Sequence, residues 1–299
     1  MRMKKMVTID EVAEILSKRS LEYSMINYPD KKEKSIDIIT VNRNKKMIVK
    51  ILGNKKSSKI KNDLKNIARI GLGIPVIIED STEQEIINDR GNILGMNVET
   101  FERILDGEKV FLYKTRGGIF VKINSKELKK KREEMGLSLG EVAQTLGVSR
   151  ISIYDYERED SYVSIDIAEK LVELFGDEIL GDIISGFKVD EKDINLETQR
   201  DSFSDKIMLN LNEKGYKVVK MNFTAVDIIA SKNDKKLLFS VEADNVSKSL
   251  RKFNEAKKIT SKIKASLIVV VKESKNKKIY EKEDFNTISE NEIMNYEFD

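Results

Sequence analysis

The 299 residues include no cysteine, no histidine and two prolines, and no apolar run approaches the length of a membrane span. Each absence removes a class of chemistry. Without cysteine there is no disulfide and no thiol nucleophile. Without histidine there is no imidazole base, and together the two losses exclude zinc fingers and the usual transition-metal sites. Lacking an 18-residue apolar run, the chain is not expected to span a membrane. The start MRMKKMVTIDEV has no apolar core of the secretory kind, so a cytoplasmic protein is expected. No glycine loop able to cradle phosphate and no metal cluster is visible, so no cofactor is expected and no effector can be identified. What remains is charge and length: 54 basic against 51 acidic side chains and 40% apolar content, enough chain for two or three cores.

One run concentrates the local signals. Residues 128–157 read LKKKREEMGLSLGEVAQTLGVSRISIYDYE. Gly136 suits the left-handed end of a first helix, and Ser138 with Glu141 forms a capping box opening a second. Ala143 is small enough for two helices to cross closely. Gly147 can take the positive φ of a tight turn, and Ser149 caps a third helix. Leu128, Val142, Ala143, Leu146, Val148, Ile153 and Tyr156 would close a small core. Arg150, Ile151, Ser152, Tyr154 and Asp155 would then lie on the exposed first turns of the third helix, with Arg158 near its end.

This run resembles the lambda-repressor/Cro type of DNA-binding domain. The resemblance covers about 60 residues, Ser125 to roughly Gly186, and implies further helices at Ser164–Phe175 and Asp177–Ser185. The central module is therefore expected to be all-α with five helices. It also implies a buried ion pair between Arg132 and Glu157, and a third helix that presents base-reading residues to the major groove. Ser138, Ser149, Arg150, Ile151, Ser152, Tyr154, Asp155 and Arg158 are the expected DNA contacts. Leu139 departs from the family pattern, which has a phosphate-bonding glutamine there. The lead-in TRGGIFVKI (Thr115–Ile123) and the mid-chain position resemble a narrower group, archaeal HTH-type transcriptional regulators of similar length.

The module is acidic: residues 126–186 carry 8 basic and 14 acidic side chains. Its positive charge is gathered on Lys129, Lys130, Lys131, Arg132, Arg150 and Arg158, so help in gripping DNA is expected from dimerisation or from the flanks. The flanks resemble each other. SIDIITVNRNKKMIVKI (Ser35–Ile51) aligns with AVDIIASKNDKKLLFSV (Ala225–Val241), Asp37 over Asp227 and Lys46 over Lys236. Each copy follows an amphipathic helix and precedes a lysine-rich helix and an apolar strand, which reads as an α/β layer. The copies resemble the restriction-endonuclease-like core, in which an aspartate and an E-x-K on the next strand hold Mg²⁺. Here Lys50-Ile51-Leu52 and Ser240-Val241-Glu242 stand at the E-x-K positions, so both triads are degenerate. Only a shifted reading, Glu242-Ala243-Asp244, offers a further carboxylate.

The expected fold is α+β and multidomain. It comprises an α/β domain over 1–108, a β-hairpin connector over 109–124 and a helix-turn-helix domain over 125–187. A linker over 188–202 and a second α/β domain over 203–299 complete it. The hairpin, turning at Gly117-Gly118, could serve as a wing, a dimer strand or an edge between domains. The expected function is sequence-specific binding of double-stranded DNA as a homodimeric transcriptional regulator, with no enzymatic activity and no membrane partner. The alternatives are a nuclease-like or DNA-modification-associated protein, or a protein-interaction adaptor.

Overall fold

The computed structural model describes residues 6–30, 33–52, 58–159, 161–189, 203–272, 274–289 and 291–293. Most of the expected linker, residues 190–202, lies outside the described residues. So does the 55–57 end of a lysine-rich run.

In chain order the first α/β copy contributes α1 (Ile9–Lys18), β1 (Tyr23–Met25), β2 (Ile38–Asn42), β3 (Lys45–Ile51), α2 (Ser58–Arg69) and β4 (Ile74–Ile78). Next come β5 (Ile86–Asp89), β6 (Leu94–Met96), α3 (Val98–Asp106), β7 (Leu112–Thr115) and β8 (Gly118–Lys122). The helical run holds α4 (Ser125–Glu134), α5 (Leu139–Leu146), α6 (Arg150–Arg158), β9 (Tyr162–Ser164) and α7 (Ile165–Phe175). The second copy contributes α8 (Phe203–Glu213), β10 (Lys217–Lys220), β11 (Ile228–Lys232), β12 (Lys235–Val241), α9 (Val246–Ile263), β13 (Ser266–Val271), α10 (Lys277–Lys282) and β14 (Thr287–Ser289). No described helix is long and apolar enough to cross a membrane.

These elements form two compact units. One holds residues 77–188 with the first seven residues; the other joins 8–76 to 189–299. In the first, the sheet runs β6-β5-β7-β8-β9. The hairpin β7–β8 is interior to it: β7 pairs in parallel with β5, and β8 pairs antiparallel with β9. Both edges of the hairpin are filled, so it has no free strand for dimerisation. The β5–β7 pairing also explains why residues 77–108 group with the helical run and not with the first α/β copy.

The helical run contains four α-helices. The segment expected as a fifth, Asp177–Ser185, instead forms one 3₁₀ turn at Asp177–Ile179 followed by further turns. Gly181 packs against Ile123, and its N–H donates to the Lys122 carbonyl. Asp182 accepts the Ser185 N–H. These contacts take the backbone groups a helix would need.

In the second unit the two copies are built in the same register. Ile38 faces Val49 across β2–β3, and Ile228 faces Phe239 across β11–β12, each pair 190 residues from its counterpart. In copy 2, alternate strand residues face opposite layers. Val218, Ile228, Leu237, Phe239, Ile268 and Val270 pack on Ile207 and Leu211 of α8. Val269 and Val271 meet Phe253 of α9 and Tyr280 of α10. Strand β13 is covered on both faces, as its unbroken apolar run requires.

The copies pair with each other. Helix α9 packs on β1 and β2, and α2 packs on β10. Lys46 donates to the Ile263 carbonyl at the end of α9, and Lys236 donates to the Gly71 carbonyl just after α2. Asp63 on α2 accepts the N–H groups of Asn222 and Phe223, while Glu255 on α9 accepts that of Asn27. Each long helix therefore serves the other copy's sheet in a reciprocal exchange.

Candidate nucleic-acid interface

Local chemistry sets every boundary of the helical run. The Asn124 side chain accepts the Glu127 N–H and starts α4, which Gly136 closes at φ 68°. Ser138 accepts the Glu141 N–H while the Glu141 carboxylate accepts the Ser138 N–H at 2.7 Å, a complete capping box. The Ser138 N–H, and after it the Ser138 hydroxyl, lower the Glu141 carboxyl pKa from its ordinary value. Helix α5 ends at Gly147, whose φ of 73° favours glycine. Ser149 then accepts the Ser152 N–H and opens α6. Lys170 of α7 donates to the Leu146 carbonyl at the end of α5, a bond that no local pattern foretells.

The core gathers Leu128, Val142, Ala143, Leu146 and Ile153 as fully buried residues, with Val148 and Tyr156 packed against them. Leu139 is half-buried against the same core, so its side chain supports the fold. Arg132 fixes α4 to α6. Its Nε and Nη2 donate to Glu157 at 2.6 and 2.9 Å, and Nη1 donates to the Leu137 carbonyl at 2.8 Å. The two side chains are 12% and 7% exposed. The Glu157 hydrogen bonds push the guanidinium pKa further up.

The first turns of α6 are exposed. Ile151 is 72% exposed, more than any other large apolar side chain described, and Tyr154 is 52% exposed. Arg150, Asp155 and Arg158 are exposed as well. Among the described residues, no hydrogen bond or ion pair engages the side chains of Arg150, Tyr154, Asp155 or Arg158. No acidic residue lies in the first turn. Ser152 shares a hydroxyl contact of 2.9 Å with Ser149. Ser138 and Ser149 are the caps of α5 and α6, and both are exposed. Arg158 sits eight positions beyond Arg150, about 12 Å along the axis.

The acid positions of the two copies are built differently. In copy 1, Asp37 Oδ2 accepts the Ile51 N–H at 2.8 Å and meets Lys50 Nζ at 3.0 Å, while Oδ1 faces Lys34 Nζ at 3.4 Å. In copy 2, Asp227 Oδ2 accepts the Val241 N–H at 2.7 Å and the Lys252 ammonium at 2.6 Å. Glu242 is turned to other work. It accepts Tyr280 Oη at 2.7 Å, Asn276 Nδ2 at 2.8 Å and the Lys272 N–H at 2.9 Å. Asp244, the last of the shifted carboxylates, is exposed beside Lys248.

Comparison with known proteins gives the class first. Residues 128–178 match a helix-turn-helix family, and residues 5–110 match a PD-(D/E)XK superfamily domain. A "Putative HTH-type transcriptional regulatory protein" of Sulfurisphaera tokodaii is 97% identical over 98% of this chain and 100% of its own length. Proteins of the same printed name from Sulfolobus acidocaldarius and Saccharolobus islandicus are 48% and 40% identical. They are matched over 96% and 95% of this chain, and over 97% and 94% of their own lengths. The chain belongs to this family of archaeal HTH-type transcriptional regulatory proteins. No solved structure matches it.

The PD-(D/E)XK match implies a divalent metal, and the residues do not fit one. Lys50 and Ser240 stand where the second carboxylate belongs, and a lysine ammonium touches the aspartate in each copy. Among the described residues no group of three potential ligands converges. No catalytic step is assigned to either position.

Proposed function

We propose that the chain is a sequence-specific transcriptional regulator that places α6 in the major groove of double-stranded DNA, acting as a homodimer in the cytoplasm and without enzymatic activity. The observation carrying this reading is the exposed face of α6, where the side chains of Arg150, Tyr154, Asp155 and Arg158 have no hydrogen-bond or ion-pair partner among the described residues. Long polar side chains on a rigid, capped helix, left unsatisfied together, suit hydrogen-bonding to base edges and phosphates. In this reading Arg150 donates to guanine, Ser152 bonds a base edge, and Ile151 packs on a thymine methyl. Asp155 accepts from a cytosine amine, Tyr154 meets sugar, and Ser138, Ser149 and Arg158 meet phosphate.

Dimerisation follows from length. One short helix reads a few base pairs, and a two-fold pair would double the site into a palindrome. The test is selection of bound sequences from random duplex DNA by the full chain, with a mass measurement on the complex. An enriched palindrome bound by two chains is expected. Failure to enrich any sequence, with the protein folded, would leave the protein-interaction alternative standing.

A further inference from the structure

We infer that lysine ammonium groups take the place of a divalent cation at both acid positions of the paired copies, turning a nuclease-like pair into one locked by internal counterions. The two aspartates make the same backbone hydrogen bond. Each precedes the same strand in the same register, and each Oδ2 accepts the N–H of the residue 14 positions on, Ile51 or Val241. In each copy the cation comes from a different element. Lys50 on β3 reaches Asp37 at 3.0 Å, and Lys252 on α9 reaches Asp227 at 2.6 Å. Two unrelated positions meeting one electrostatic demand separates this from a chance ion pair.

The reason is the cost of a buried charge. Asp37 is 1% exposed and Asp227 28%, and among the described residues neither belongs to a group of three potential metal ligands. A carboxylate withdrawn from water needs hydrogen-bond donors or a cation close by, and at these two positions a lysine supplies the cation. At Asp227 the Lys252 ammonium balances the carboxylate, and at Asp37 the Lys50 and Lys34 ammonium groups together already supply the charge of a divalent ion. Lys252 also donates to the Val241 carbonyl at 3.0 Å, so the backbone holds it in place. From the other copy, Tyr28 lies against this lysine, 6.0 Å from ammonium to ring centroid. A metal ion and an ammonium cannot share this position at such distances. The lysine excludes the metal.

The test replaces each ammonium with a carboxylate. Thermal unfolding and Mn²⁺ electron paramagnetic resonance would be recorded on the full chain, on Lys50→Glu and on Lys252→Glu, with chelator and with Mn²⁺. The unmodified chain is expected to show no Mn²⁺-dependent shift. Each variant is expected to melt lower in chelator, bind Mn²⁺, and regain roughly 5 °C at saturating metal. Adding Asp37→Asn or Asp227→Asn should abolish that response. Lys252→Glu, at the more exposed aspartate, keeps the test readable if Lys50→Glu unfolds. Mn²⁺ binding by the unmodified chain that is lost in Asp37→Asn or Asp227→Asn would overturn the inference. Two glutamate variants that Mn²⁺ neither binds nor rescues would overturn it equally.

Discussion

Charged side chains meet opposite fates in the two units. On α6 of the helical run, the side chains of Arg150, Asp155 and Arg158 stand exposed with no partner among the described residues. In the paired copies, Asp37, Asp63, Asp227 and Glu242 are each surrounded by donors from the chain itself. An unsatisfied charge in water costs the fold nothing and remains available to a ligand. A charge withdrawn from water must be matched internally, and once matched it is no longer free for chemistry. The contrast separates a surface kept for binding from groups committed to holding the protein together.

Removing a committed group should have the largest effect. Asp63 is fully buried and accepts the Ser35 hydroxyl at 2.5 Å, besides the Asn222 and Phe223 N–H groups. Asp63→Ala strands donors from both copies and should cost about 5 kcal/mol in denaturant unfolding of the paired copies. A loss below about 1 kcal/mol would erase the contrast. Arg132→Ala should cost about 3 kcal/mol in the helical run, because Glu157 would be left buried and unpaired. A melting temperature that does not move would place that pair among the idle surface charges.

Arg150→Ala probes the other side of the comparison. It should leave the melting temperature unchanged while weakening binding to the selected DNA by about 1–3 kcal/mol. Equal binding of selected and scrambled duplexes by the variant and the parent would remove Arg150 from the reading face.

The smallest effect concerns pH. Burial and the neighbouring ammonium groups push Lys46 and Lys236 below the usual lysine value of 10.5. Between their native values and 10.5 the unfolded chain holds protons that the native chain has released. Stability from these groups therefore rises with pH across that interval. Lys46→Met should flatten the slope of melting temperature against pH there, and an unchanged slope would show that the lysines are not coupled to folding.

Much of the helical run was legible from neighbours in sequence. Ser138, Glu141, Gly147 and Ser149 act within three or four residues, so local pattern places the ends of α5 and α6 correctly. The repeat was legible for the same reason: matching strand registers follow from matching patterns in Ser35–Ile51 and Ala225–Val241. The expected fifth helix does not form because the Gly181 and Ile183 N–H groups donate to the distant carbonyls of Lys122 and Val110, which outweighs local propensity. The missing triads could be read at Lys50 and Ser240. Lys252 could not, since it lies on a different element from the strand it serves and nothing in its own helix marks it.

The chain order by itself determined where α4, α5 and α6 of the helical run begin, and that two related α/β copies lie outside it. Caps and positive-φ glycines are short-range, and a repeat is a property of the string. Tertiary structure alone decided that the copies pair with each other and that residues 77–108 join the helical run. It also decided which lysine neutralises which aspartate. Those outcomes rest on surfaces brought together from positions far apart in the chain, where contact depends on packing rather than on sequence spacing.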